Sequence, residues 1–148
     1  MPDTNSPEEI YEAVLREHTA LRCLLEELNK MLFERIEPFS VLSSRMVELQ
    51  QLVDKHFRTE EESGCFNDLV AHAPRVSEKV GALMVEHQDL SLFVGQIVSR
   101  VLMCQGQPED WESVHAEFGE FMAKLMQHET FENELLQEVF TEDIGSKD

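Results

Sequence analysis

Basic side chains are in short supply. Twelve Lys and Arg stand against thirty Asp and Glu, a formal charge of −18 at pH 7 over 148 residues. A chain that negative is repelled by phosphate backbones and anionic lipid, which argues against nucleic-acid and membrane-surface partners. Long apolar runs are missing as well: the longest is four residues, as at Val101–Cys104, where a transmembrane helix needs about 20. The start, Met1-Pro2-Asp3-Thr4, has neither the basic nor the apolar region of a secretory signal. Cysteine is scarce and odd in number, and Cys23, Cys65 and Cys104 show no C-x-x-C spacing. The expectation is reduced thiols in a cytoplasmic protein and no disulfide framework. Strand-type alternation, internal repeats and low-complexity tracts are all lacking, which excludes β and solenoid classes.

Hydrophobic side chains make up 42% of the chain, and with glycine added the total falls in the globular range. The length predicts a single domain over residues 1–148, with a helical core over about 7–141 and short mobile tails. The few glycines and prolines cut the chain into four long segments. Ser6-Pro7-Glu8-Glu9 is a capping box with proline at the first helical position, predicting a helix from there to about Phe33. A second helix is predicted from about Ser40 to Ser63, stopping at Gly64. A third is predicted from about Pro74 to Gln105, stopping at Gly106, and a fourth from Pro108 to about Thr141. Residues 64–74 read as the longest connection.

Within each segment apolar residues recur in alternating steps of three and four. Val14, Leu21, Leu25, Leu28 and Leu32 form one such seam, and Val114, Phe118, Phe121 and Leu125 another. Four seams joined by short connections describe an all-α, up-down-up-down antiparallel four-helix bundle.

Six polar residues interrupt these seams: His18, His56, Glu60, His87, His128 and Glu132. Four histidines on four helices would each fall on a two-in-seven seam by chance roughly once in 150 trials. Unpaired carboxylates at core positions would be very costly. In an antiparallel hairpin, residues equally far from the turn share a layer. His18 and His56 lie about 18 and 20 residues from residue 36, and His87 and His128 about 19 and 22 from Gly106. Glu60 and His87 are likewise roughly equidistant from residue 72. All six therefore converge on one core layer, and each His-x-x-x-Glu pair puts both side chains on one helix face. Neutral imidazoles and carboxylates around two metal ions would satisfy every one of these groups. The histidine-rich set shifts the preference towards iron, with zinc or manganese as substitutes.

The series His18, His56-x-x-x-Glu60, His87, His128-x-x-x-Glu132 resembles the hemerythrin-like (HHE cation-binding) family over about residues 8–141. The resemblance implies a pair of iron ions with His18, His56, His87 and His128 as terminal ligands and Glu60 and Glu132 as carboxylate bridges. Oxygen-carrying hemerythrins have a fifth histidine one turn from the third, and an Asp five residues after the last. Here Leu83 and Ser91 flank His87 by one turn, and the final pair is His128 and Glu132. Four imidazoles, four carboxylate oxygens and an oxo or hydroxo bridge leave two open positions on an octahedral iron pair. The resemblance is closer to the iron-centre-repair proteins of nitrosative stress and to the iron-sensing domain of an F-box protein. It implies a di-iron protein binding O2, peroxide or NO in oxidative or nitrosative stress or iron homeostasis. The alternative is a non-catalytic iron or oxygen sensor, or an iron store, read by a redox or regulatory partner. Turnover is open between these two.

The remaining polar and reactive groups have plainer expectations. Glu61 and Glu62 read as a solvated face, and His72 and His115 as surface or boundary residues. Cys104 reads as a buried seam residue, and Gly81 and Gly95 as sites of close helix packing.

Overall fold

The computed structural model describes residues 6–145 and is all-helical, consistent with a helical bundle. Four long helices, α1 (Pro7–Glu34), α2 (Phe39–Glu62), α4 (Ser77–Met103) and α5 (Pro108–Gly145), are joined by short connections and one short helix, α3 (Cys65–His72). The Ser6 hydroxyl accepts the Glu9 N–H at 3.2 Å with Pro7 following, so the capping box starts α1 where the sequence placed it. Arg35, in a left-handed conformation, ends that helix by donating its N–H to the Met31 carbonyl. Before α5, the Asp110 carboxylate reaches back to the N–H groups of Gln105, Gly106 and Gln107 and satisfies donors the helix cannot. Gly106 is required there: its φ is +85°, and a Cβ would come within 3.0 Å of the Phe39 Cβ.

Two boundaries differ from expectation. α5 continues past Thr141 to Gly145; the expected mobile tails at residues 1–5 and 146–148 lie outside the described residues. The connection at 64–74 holds α3 and a single 3₁₀ turn at Pro74–Val76. Gly64, at φ +96°, lets the chain turn into α3, which buries Cys65, Phe66 and Leu69.

α1 packs on α2 and α5, and α4 packs on α2 and α5, closing a ring. Partners run in opposite senses along each neighbouring pair. Glu17 and Glu27 of α1 meet His56 and Arg45 of α2. Asp54 and Glu61 of α2 meet Ser91 and His87 of α4. Glu86 and Arg100 of α4 meet His128 and Glu117 of α5, while Tyr11 and Phe33 of α1 meet Phe140 and His115 of α5.

The seams fill the interior as two apolar clusters. The larger contains Leu21, Leu28, Leu42, Met46, Leu49, Ile97, Phe118 and Phe121. The smaller, under α3, contains Val14, Phe66, Leu69, Leu83, Leu135 and Leu136. All six seam-breaking polar residues are buried, at 2% exposure or less, where the two clusters meet along the helices. Two side expectations fail. Cys104 ends α4 half-buried and not inside the core. A Cβ added at Gly81 would meet open space, and one added at Gly95 would meet only the Gln50 amide nitrogen, at 3.5 Å.

Candidate metal centre

α1 contributes His18, α2 His56 and Glu60, α4 His87, and α5 His128 and Glu132. In both His-x-x-x-Glu pairs the spacing brings the partners together on one face: His56 Nε2 lies 3.1 Å from Glu60 Oε1, and His128 Nε2 3.1 Å from Glu132 Oε2. Between helices, His18 Nε2 is 3.0 Å from Glu132 Oε1 and His87 Nε2 is 3.2 Å from Glu60 Oε1. The His18 and His56 rings are 4.6 Å apart, and the His87 and His128 rings 4.9 Å.

Two groups of donors result, His18–His56–Glu60–Glu132 and Glu60–His87–His128–Glu132. In each, the four donor atoms lie within 4.8 Å of one another. The two glutamates are common to both.

Despite this crowding, His56 Nε2, His87 Nε2, His128 Nε2, both Glu60 oxygens and Glu132 Oε2 have no hydrogen-bond partner, and all are buried. The nitrogens lie within ion-pair distance of the carboxylates but out of hydrogen-bond geometry, an arrangement that is expensive in an apolar interior. Inward-facing nitrogens and carboxylate oxygens at these separations are a donor set that fits divalent or trivalent cations.

The other face of each imidazole is satisfied. His56 Nδ1–H donates to Glu17 at 2.8 Å, His87 Nδ1–H to Glu61 at 3.1 Å, His128 Nδ1–H to Glu86 at 3.0 Å and His18 Nδ1–H to the Asn133 amide oxygen at 2.8 Å. These contacts go once around the ring of helices. α1 holds the histidine of α2, α2 that of α4, α4 that of α5, and α5 that of α1. A proton fixed on Nδ1 leaves the Nε2 lone pair facing inward, the tautomer a metal requires.

Glu61 was expected on the solvated face. Its carboxylate instead orients His87, which corrects that reading; Glu62 is exposed as expected. Each outer acceptor directly adjoins an inward-facing residue in the chain, the one signal that could have found them. In so acidic a sequence that signal is weak.

Sequence reasoning also missed α3, whose Phe66 stacks on His87 at 5.4 Å, alongside Phe57 at 3.9 Å. It missed Glu129 too, which is 1% exposed with neither oxygen partnered. His72 is exposed and His115 half-buried; neither belongs to the two groups.

Without metal, charge pairing outweighs burial at His56 and Glu60. Burial by itself would push the His56 imidazolium down, but Glu17 and Glu60 outweigh it and hold His56 up at about 9. Burial would raise Glu60, but His56 and His87 outweigh it and hold the carboxyl down at about 2. Burial lowers His18 and His128 and raises Glu129.

The model of the hemerythrin HHE cation-binding domain matches residues 9–140. The chain belongs to that family. No curated protein and no solved structure matches it. An HHE domain with two overlapping His/Glu clusters is a metal-binding unit. Among the described residues, no helix of this hemerythrin-like chain is long and apolar enough to cross a membrane.

Proposed function

We propose that this chain is a single hemerythrin-like domain, an up-down-up-down antiparallel four-helix bundle with a non-haem di-iron centre in its core. His18, His56, His87 and His128 would hold the two ions as terminal ligands, with Glu60 and Glu132 shared between them. The carrying observation is that the two donor groups have both glutamates in common. A carboxylate shared by two ions offsets part of the charge of each and is no longer buried bare. The opposed partner order along neighbouring helices supports the topology.

Such an iron pair supplies redox chemistry and open coordination positions for O2, peroxide or NO. The protein's own part is positional. The outer acceptors fix the four Nε2 atoms inward, and Phe57 and Phe66 keep water from the face of His87. The role in the cell is in oxidative or nitrosative stress or in iron homeostasis, within the cytoplasm, with a small ligand and a redox or regulatory protein as partners.

Metal analysis of protein from an iron-replete host, with an aerobic absorption spectrum, tests the centre. The expected result is about two irons per chain and an oxo-bridged ferric band in the near ultraviolet. One ion, or none on reconstitution, overturns it. Consumption of peroxide or NO well above that of free iron indicates turnover. Stoichiometric binding alone indicates a sensor or store.

A further inference from the structure

Glu129 is as buried as the six inward-facing residues, yet it belongs to neither donor group. Both its oxygens lack a hydrogen-bond partner. Glu132 and Asn133 follow it by three and four residues on α5 and so share its face of the helix. Both of those touch His18, Glu132 at Nε2 and Asn133 at Nδ1. Glu129 therefore sits on the face of α5 turned towards His18, on the His18–His56 side of the centre.

That side is short of negative charge. His87 and His128 are backed by the carboxylates of Glu61 and Glu86, and His56 by that of Glu17. His18 alone is backed by a neutral amide. Two buried cations with only two shared carboxylates leave positive charge uncompensated, and an unpartnered buried carboxylate is the complementary defect. The His87–His128 side is open to small molecules. A groove of about 210 Å³ includes His128 in its wall, and another of about 500 Å³ includes His87.

We propose that Glu129 is a third carboxylate donor of the metal centre. It completes the position held by His18 and His56 and leaves the position held by His87 and His128 as the one that admits a small ligand. The proposal rests on the two-metal reading and makes the two positions chemically unequal.

Metal-free protein is loaded anaerobically with ferrous iron and then exposed to air. Wild type should hold two irons in two distinct Mössbauer environments of equal weight and bind one equivalent of azide. Glu129→Ala and Glu129→Leu should take up two irons but release one of them to a chelator at least tenfold faster. The alanine variant should bind a second azide. Metal-free Glu129→Leu should melt at or above metal-free wild type, because it loses a buried carboxyl that nothing satisfies. Unchanged iron release and azide stoichiometry in both variants would overturn the proposal and leave the two-metal reading standing. A lower melting point of the metal-free leucine variant with unchanged release assigns Glu129 a structural role and overturns it too. Uptake of fewer than two irons by wild type overturns the two-metal reading, and Glu129's role with it.

Discussion

Along one face of α5, Phe118, Phe121 and Leu125 lie in the large apolar cluster, and a turn further on His128, Glu129 and Glu132 are just as buried. The apolar stretch is stabilised by leaving water and needs nothing else; burying a phenyl ring contributes about 1.5–3 kcal/mol. The polar stretch loses hydration and recovers only part of it, since most of its inward atoms lack partners. One region is complete when the chain folds. The other is completed by what it binds. Burial alone does not separate a core residue from a functional one; the orphaned polar atom does.

The comparison breaks most severely at two chosen positions. Phe121→Ala should lose about 3–5 kcal/mol with or without metal, because it leaves a cavity in packed surroundings. Glu60→Ala or Glu132→Ala should instead lose at least one of two ions while lowering metal-free stability by less than Phe121→Ala does. Urea denaturation of metal-free protein, alongside metal analysis, reads both. If a bridging variant kept both ions, the shared-glutamate assignment would fail.

The pH dependence of the metal-free protein sharpens the contrast. His56 is raised to about 9, so its contribution is fully present below about pH 6.5 and is lost as pH rises through 9. Glu60 is depressed to about 2, so its contribution is present above about pH 4.5 and is lost as pH falls through 2. Metal-free stability should therefore decline from near neutrality to pH 9, by on the order of 1–3 kcal/mol. His56→Ala should flatten that limb. The same proton must leave when a cation binds, so calorimetry in buffers of different ionisation enthalpy should detect its release at pH 7. Melting curves in chelator across pH 5–9 that show no decline would count against the His56–Glu60 pairing.

A smaller effect separates Glu61 from Glu62. Glu61→Ala should weaken metal binding about 10- to 100-fold, the usual cost of losing an acceptor behind a ligating histidine. Glu62→Ala, on an exposed carboxylate, should leave affinity unchanged. Competition against a chelator of known affinity measures both, and equal behaviour of the two variants would remove Glu61 from behind His87.

Helix identity and the six inward residues were legible without a structure because helical periodicity is local. A residue three or four positions from Leu21 or Phe121 shares its face whatever the rest of the chain does. His18, His56, Glu60, His87, His128 and Glu132 therefore announced themselves as polar residues on apolar seams, and equal distances from the turns put them in one layer. The short helix α3 escaped because eight residues carry too little periodicity to stand out from a connection. Glu17, Glu61, Glu86 and Asn133 escaped for another reason: each sits beside an inward residue in the chain but serves a histidine on a neighbouring helix. Which acceptor meets which ring depends on how far each helix is rotated and slid against the next. Glu129 is the clearest case. It lies four residues after Leu125 and three before Glu132, so its spacing permits the buried face, but only the packing of α5 against its neighbours decides that the seam is wide enough there to bury Glu129 beside His128.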